Sequence, residues 1–487
     1  MALKKSGSTN LYYSAFLLIL FSLVLSSCAD MQKMDYPLFP YKNEKGEYVF
    51  KTRNPSSVDR PFKRKKKRKT KQSHEESESP VDFSQSLDLQ FAMKQRHFVN
   101  SPNPLLANNY GLFDQGAFAD VNGDFKWKTP NWQLAVRPEI LALTHRLTSN
   151  TKPAIYQWKK KSNSEFREIY VTLTPSGDFS LSFGRQKYEW GPTEFYNVSN
   201  PFNSPINFDS YQQQIVLPPT LIKASQSFSD TWNFTAVFNA DDTIEDRIVS
   251  NISTRVLDKA YVLKFENTSL EGDYLYGFTY GSGQITAPFV GAYARWLSNS
   301  GFSIYTDMKQ SQGSPSYYPV NRGTSAFPLV ELQDKYFRST KKTFFMNNIG
   351  IRFENNWDIR VEYLTNEAGF SKNEIELFSL AFSPFNFYSY TNAKKLNQMH
   401  LPFMRENYGY LSLRSPEFGP QKRFTLSNQM IQNLDDQSLM NIAKVDCEVG
   451  ENGTLTLNNT TTKGSKTTGE FSSFIKDYTS LIFKWEY

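Results

Sequence analysis

The sequence predicts an all-β protein, a transmembrane antiparallel β-barrel of about 16–18 strands preceded by a disordered linker. Three observations predict it. A short apolar segment at the amino terminus runs straight into a cysteine, the long C-terminal portion alternates apolar and polar residues with a period of two, and the chain stops on an aromatic strand. These divide the chain into an export signal over 1–27, a lipid-anchored linker over 28–82 and a barrel over 83–487, with the outer membrane as destination.

Lys4 and Lys5 precede the apolar run from Ser14 to Leu25, and Leu25-Ser26-Ser27-Cys28 follows at once. A basic start, a short apolar stretch and small residues before a cleavage point make a secretory signal. The run falls well short of the ~20 residues a permanent spanning helix needs. Leu-Ser-Ser-Cys resembles the bacterial lipobox, which implies acylation of Cys28 and anchorage in outer-membrane lipid. By that pattern an aspartate directly after the cysteine favours inner-membrane retention, but Ala29 stands there and Asp30 comes one later. An ordinary signal peptide with an incidental cysteine is the alternative.

The formal net charge of +7 is concentrated rather than spread. Residues 60–71 (RPFKRKKKRKTK) hold nine Lys and Arg, whereas residues 83–487 carry equal numbers of acidic and basic side chains. Such a block, with few aliphatic residues and HEESESP beside it, reads as disordered. It is either a solvated spacer or a contact for anionic headgroups, peptidoglycan or a periplasmic partner. An export signal argues against a nucleic-acid partner.

Over the whole chain, 15% aromatic content coexists with a mean hydropathy of −0.54. Strands with one face on lipid and the other on water produce that combination, although a soluble β-sandwich can too. Several stretches read as hairpins. Ile169, Val171 and Leu173 lead through Pro175-Ser176-Gly177-Asp178 to Phe179, Leu181 and Phe183. Ile349, Ile351 and Phe353 lead through Asn355-Asn356 to Ile359, Val361 and Tyr363, and Val445, Cys447 and Val449 lead through 450–453 to Leu455 and Leu457. Single strands of the same kind include Trp232 to Phe238, Tyr261 to Phe265 and Tyr274 to Tyr280. Their opposite faces carry Lys264/Glu266, Arg352/Glu354 and Arg360/Glu362. Charges of both signs suit a wet lumen better than a dry core, where each would cost several kcal/mol. Two long irregular segments, 191–220 and 310–342, are expected as surface loops, with an inward constriction as the alternative.

At the carboxy terminus Thr479, Leu481, Phe483, Trp485 and Tyr487 share one face. This places an aromatic pair at the headgroups and resembles the terminal signal by which barrel-assembly machinery recognises its clients; Leu481, Phe483, Trp485 and Tyr487 are the membrane-insertion residues. Cys447 reads as a lipid-facing residue.

No chemistry-bearing motif emerges. His74, His97, His145 and His400 stand in no metal spacing and beside no Gly-x-Ser-x-Gly motif, so no catalytic residue, metal or cofactor is expected, and a barrel-embedded hydrolase is the competing class. The acidic group Asp241, Asp242, Glu245 and Asp246 reads as a solvated loop rather than a divalent-ion site, and Asn122-Gly123, within a superficially calcium-loop-like stretch, reads as a hairpin turn.

Residues 184–209 (GRQKYEWGPTEFYNVSNPFNSPINFD) resemble the Gly-Arg-Gln, Trp-Gly, Asn-Pro signature of outer-membrane barrels that include alginate-export-like and capsule-assembly-like proteins. EYLTNEAGFSKNE at 362–374, NLDDQS at 433–438 and GEF at 469–471 are similar in flavour. The resemblance implies a strand end and inward loop around Gly184, Arg185, Gln186, Trp190, Gly191, Asn200 and Pro201, and in this sequence the shift of apolar parity between Phe183 and Tyr188 is consistent with a bulge at Gly184. Arg185, Gln186, Glu189, Trp190 and Asn200 are the implied channel or substrate-binding residues, though Arg185 and Glu189 serve equally well as wall interactions. What it implies functionally is passive transport of small polar solutes or polysaccharide. The charge balance departs from the basic channels of alginate exporters, leaving the solute open, and a non-conducting scaffold for surface polysaccharide is the alternative.

Overall fold

The computed structural model describes residues 41–42, 48–49, 82–98, 115–148, 156–202, 218–240, 259–283, 287–314, 316–324, 329–336, 342–381, 386–396, 403–464, 470–471 and 475–486. Cys28, the basic run 60–71, His74, His400, the acidic group 241–246 and Tyr487 lie outside these. The chain forms two compact units. In the first, up to Arg60, the described residues form a two-rung antiparallel ladder, Tyr41 opposite Val49 and Lys42 opposite Tyr48.

The second unit contains a closed antiparallel barrel of eighteen strands among the described residues. They are β1 (Asp82–Phe98), β2 (Gln115–Lys128), β3 (Trp132–Thr148), β4 (Tyr156–Ser176), β5 (Phe179–Arg185) and β6 (Thr220–Ser227). Next come β7 (Trp232–Asn239), β8 (Ala260–Thr268), β9 (Tyr274–Gly283), β10 (Phe289–Leu297), β11 (Phe302–Gln312) and β12 (Thr343–Glu354). The ring ends with β13 (Asp358–Asn366), β14 (Asn407–Arg414), β15 (Phe424–Asn433), β16 (Leu439–Val449), β17 (Gly453–Lys463) and β18 (Ile475–Glu486). Each strand pairs with its neighbours in sequence, and β18 closes on β1, Phe483 opposite Phe91 and Trp485 opposite Leu89.

The three hairpins read from the sequence form in the expected register. Leu181 faces Leu173, Val361 faces Ile351 and Leu455 faces Cys447. Period-two alternation fixes that register, because a slip of one residue would exchange the lipid and lumen faces. On β13 the consequence is plain: Val361 is 46% exposed and Glu362 1%. Phe91, Phe183, Leu263, Phe278 and Ile349 all stand outward with Val361, so a chain this polar presents an apolar outer wall. Such a closed ring leaves no unpaired edge and can sit in a bilayer, as an outer-membrane barrel. Trp132, Trp232, Trp296 and Trp485 all stand close to the ends of strands that meet short turns or the chain terminus, so one rim carries an aromatic girdle.

Arginine in place of Leu263, which lies mid-strand on the outer wall, is expected to lower barrel stability by about 2–4 kcal/mol. Denaturant unfolding in lipid vesicles measures this. A variant as stable as the parent would mean that this face does not meet hydrocarbon.

Two expectations are corrected. Asn122-Gly123 is no turn; it lies inside the continuous strand β2. Opposite it, β3 changes register at Arg137/Pro138, where proline cannot donate to the ladder, and a Cβ on Gly123 would come within 2.6 Å of the Phe125 ring and 3.2 Å of Pro138. Nor is there a bulge at Gly184, which pairs in unbroken register with Tyr170 and Leu221. The apolar parity shifts there because β5 ends at Arg185 and the chain leaves the wall.

Short connections such as 129–131, 177–178 and 355–357 lie at one end, and the long ones at the other; by the architecture of such barrels these are the periplasmic and extracellular ends. The β13–β14 connection contains helices α1 (Lys372–Ala381) and α2 (Ser389–Leu396). Ser371 starts α1 with a capping box: Glu374 N donates to Ser371 Oγ (3.4 Å), and Ser371 N donates back to the Glu374 carboxylate (3.0 Å). The connection between β11 and β12 forms a two-stranded ladder, Tyr318–Asn321 with Val330–Gln333. Ladder and α1 share a small core of Tyr318, Val330, Leu332, Phe370, Ile375 and Phe378. Buried Asn386 and Asn392 brace it by donating to Val330 O at 2.7 and 2.8 Å.

Candidate functional site

The chain leaving β5 does not stay at the surface. Trp190, Phe195, Tyr196, Val198, Asn200 and Phe202 are buried; Trp190 and Phe202 pack on the near wall around Leu221 and Tyr293, whereas Phe195, Tyr196 and Ser199 find partners on β11 to β14, far around the ring. Only a path through the lumen joins those two regions of wall. The segment 186–202 is therefore the inward constriction, and the expectation of a surface loop for 191–202 is corrected.

Glu362 holds it. This carboxylate, on the lumen face of β13, accepts Glu194 N at 2.8 Å and Phe195 N at 3.1 Å. It also accepts Asn348 Nδ2 at 2.7 Å and the Tyr305 hydroxyl at 2.8 Å, so it saturates itself with donors from two strands and the loop. Asp307 on β11 holds the other arm, its Oδ1 accepting Ser199 N at 3.1 Å, and Asn348 Nδ2 donates to Tyr196 O at 3.1 Å. A loop without regular structure must satisfy its backbone groups elsewhere, and these carboxylates and this amide do so. Gly191 fits because it has no side chain. At φ +98 its Cβ would come within 2.7 Å of Asn197 Oδ1 and 2.9 Å of Asp307 Oδ2.

The residues implied by the signature shape this loop. Trp190 Nε1 donates to Ser199 Oγ (3.2 Å), and its ring lies against Tyr188 and Phe202 at 5.3 and 6.0 Å. Asn200 Oδ1 accepts Phe202 N (3.0 Å) while its Nδ2 reaches Tyr188 O (3.4 Å). Gln186 is buried and its N donates to Pro219 O (3.1 Å). Arg185 shares the outward parity of Leu181 and Phe183, and its Nη1 donates to Phe166 O on β4 (3.2 Å); it is a wall contact and does not face the lumen. Glu189 pairs with Lys187 at 3.0 Å. Glu362, Asp307 and Asn348 were outside the expected set. The alternation on β13 puts Glu362 on the polar face, but nothing local marks it as the seat of a loop some 170 positions earlier in the chain.

The lumen charges are mostly cancelled. Near the periplasmic turns, Arg352 meets Asp358 and Glu354 at 2.7 Å, while Arg360 bridges Asp358 and Glu194. Lys126, Asp124, Arg137 and Glu168 form a chain with contacts of 2.7–3.3 Å. Lys264 pairs with Glu266 at 3.1 Å. Among the described residues, Lys223 and Arg295 have no ion pair; Lys223 lies over the Tyr188 ring at 4.8 Å, and Arg295 Nε has no acceptor.

A closed apolar-walled ring with a polar, charged interior and a loop seated across it defines the class: an outer-membrane β-barrel of porin size. Solved structures similar to the chain include OccAB1 of Acinetobacter baumannii, with 8% identity, covering 84% of this chain and 96% of that one at a TM-score of 0.49. OpdK of Pseudomonas aeruginosa with vanillate, and OccK7 (OpdD) of the same organism, each match at 8% identity over 83% of this chain, covering 98% and 99% of theirs at a TM-score of 0.48. No family model matches the sequence, and no curated protein does.

Proposed function

We propose that the protein is a passive outer-membrane channel for small polar solutes, with the inward loop as its constriction. One observation carries this reading: eighteen strands enclose a width that elsewhere holds water, and the inner wall is lined with charged side chains while the loop is held by them at one flank. Selectivity comes from the groups whose charge is not cancelled. Among these are the cations Lys223 and Arg295, and because the carboxylates of Glu362 and Asp307 are buried under the loop they hold, anionic solutes are favoured. The carrying experiment is current recording in planar bilayers. Reproducible open channels are expected, with a reversal potential biased toward anions in a salt gradient, and a Lys223→Glu/Arg295→Glu double variant is expected to reverse its sign. An unbiased wild-type channel, or an unaltered variant, removes the assignment of selectivity to these two residues.

A non-conducting scaffold for surface polysaccharide is the second reading. It draws on two apolar clusters that thicken the inner wall, one around Phe195, Met346 and Tyr410 and one around Trp190, Leu221 and Tyr293. Absence of current together with retained polymer binding would select it. We further propose acylation at Cys28, with residues 60–71 lying against anionic headgroups, peptidoglycan or a periplasmic partner.

A further inference from the structure

Three extracellular connections meet at one carboxylate that the channel reading does not use. Glu470, in the β17–β18 connection, accepts Met404 N at 2.9 Å, Asn433 Nδ2 at 2.7 Å and the Tyr408 hydroxyl at 2.5 Å. Its own N donates to Asp436 Oδ2 at 3.0 Å, and Phe471 N donates to Ser438 Oγ at 3.4 Å. Two hydrogen bonds thus tie the β17–β18 connection to the segment 403–408, and two more tie it to the turn 434–438. The segment is pinned again where Arg405 N donates to Tyr408 Oη (2.7 Å) and Asn366 Nδ2 to Phe403 O (3.3 Å).

The same segment is the bed of the constriction. Phe195 stacks on Tyr410 with centroids 4.9 Å apart and tilts against Phe403 at 5.0 Å; Tyr196 meets the edge of Phe403 at 5.6 Å. Phe403 in turn packs on Tyr408 at 4.7 Å. Rings in contact transmit displacement because a packed core has few intermediate arrangements. A movement of 403–408 therefore removes one side of the loop's support, leaving Glu362 and Asp307 as its tethers.

We propose that Glu470 is the bolt of a proton-controlled latch, whose uncharged carboxyl clamps the three extracellular connections and thereby fixes the bed beneath Phe195 and Tyr196. This is a conformational device added to the channel reading. Its effect on permeation rests on that reading, but the latch itself does not.

The charged groups around Glu470 favour such behaviour. Among the described residues, the turn presents Asp435 and Asp436, the segment Arg405, Glu406 and the Tyr408 hydroxyl, and α1 presents Glu374 toward Glu406. Carboxylates outnumber the two cations, Arg405 and Lys342; Lys342 acts on Glu406, and Arg405 lies near Asp436, at 3.9 Å. Burial, with a smaller contribution from Asp436, pushes the Glu470 carboxyl up to about 7 against the hydrogen bonds that favour its ionised form. Burial and Asp435 push Glu406 up as well. In an opened connection Glu470 meets water and returns toward its ordinary value. The closed latch therefore holds its proton over the wider range. Its stability is complete below the solvated value, falls as pH rises toward about 7, and stays low above that.

The test is amide hydrogen exchange of the full-length protein in detergent micelles at pH 5 and pH 8, with rates corrected for intrinsic chemistry. Protection of residues 403–408 and 194–199 is expected to fall on the order of a hundredfold at pH 8, and Glu470→Gln is expected to keep them protected at both. Should that variant not fold, Tyr408→Phe, which retains the ring, is expected to lower protection at pH 5 to the wild-type level at pH 8. Equal protection of the wild type at both pH values overturns the latch, as does a Glu470→Gln variant that still responds. Exchange that responds in a barrel passing no current at either pH supports the latch and overturns the channel.

Discussion

Replacing Glu362 with alanine is expected to release the inward loop and raise the single-channel conductance, with a flickering open level where the parent is steady. The substitution deletes one acceptor and strands four donors: Glu194 N, Phe195 N, Asn348 Nδ2 and the Tyr305 hydroxyl. Buried donors left without partners, together with the loss of a charged acceptor, cost about 3–5 kcal/mol. That cost falls on the loop rather than on the ring. The ladder between β12 and β13 is made by backbone groups, so the loop can leave its seat while the strands remain paired. At about 1.4 kcal/mol for each factor of ten, the unseated fraction grows by roughly two to three orders of magnitude. Two measurements check this: current recordings, and proteolysis at 190–202, which unseating exposes. Glu362→Gln keeps the shape but replaces one acceptor oxygen by a donor facing donors, so an intermediate effect is expected. A variant with parental conductance and parental protease resistance would show that Asp307, Asn348, Arg360 and the aromatic bed hold the loop without Glu362.

The ring was legible in the sequence, and the seat was not, for reasons that differ in kind. A strand between hydrocarbon and water must alternate, so Ile349, Ile351 and Phe353 on one side of Asn355-Asn356 announce Ile359, Val361 and Tyr363 on the other, and the structure pairs them so. Glu362 is visible in that pattern only as a lumen residue. Its role depends on Glu194 and Phe195, which reach it by crossing the barrel, and no local period records such a crossing. Asn122-Gly123 misled in the opposite way. Its turn chemistry is real, but unbroken pairing with β1 outweighs it, and glycine serves instead to make room beside Pro138, where the ladder to β3 is interrupted. Helix α1 lay outside an all-strand reading although Ser371 and Glu374 spell a capping box, a local signal that does not depend on the barrel. The channel residues implied by the signature fall between these cases. Trp190 and Asn200 do belong to the inward loop, but they are spent on fixing its shape, while Arg185 lies on the wall.

Gly184→Ala is expected to prevent most of the protein from closing its barrel, and the reason lies in where β5 gives up the wall to the loop. At φ +130 this residue occupies a backbone region that side chains oppose, and a Cβ there would stand 2.2 Å from Ile169 O and 2.7 Å from Tyr170 Cα. Both obstacles are backbone atoms of the neighbouring strand, so no rotamer change relieves them. Either β4 and β5 separate around Tyr170, or Gly184 abandons its conformation and the loop loses its entry angle. Strain of roughly 1–3 kcal/mol adds to overpacking of similar size, for a total of about 3 kcal/mol or more. Gly272→Ala supplies the comparison. That glycine also has a positive φ, +75, but a Cβ on it meets nothing within 4 Å, so it carries the backbone strain without the collision. Heat-modifiable gel mobility of membrane-extracted protein reads the folded fraction of each. The Gly272 variant is expected to remain largely folded and the Gly184 variant to appear mainly as the unfolded band. Equal folded fractions would mean that the wall between β4 and β5 yields at little cost, and that the path of the loop into the lumen is set by its seat on β11 to β13 rather than by its root.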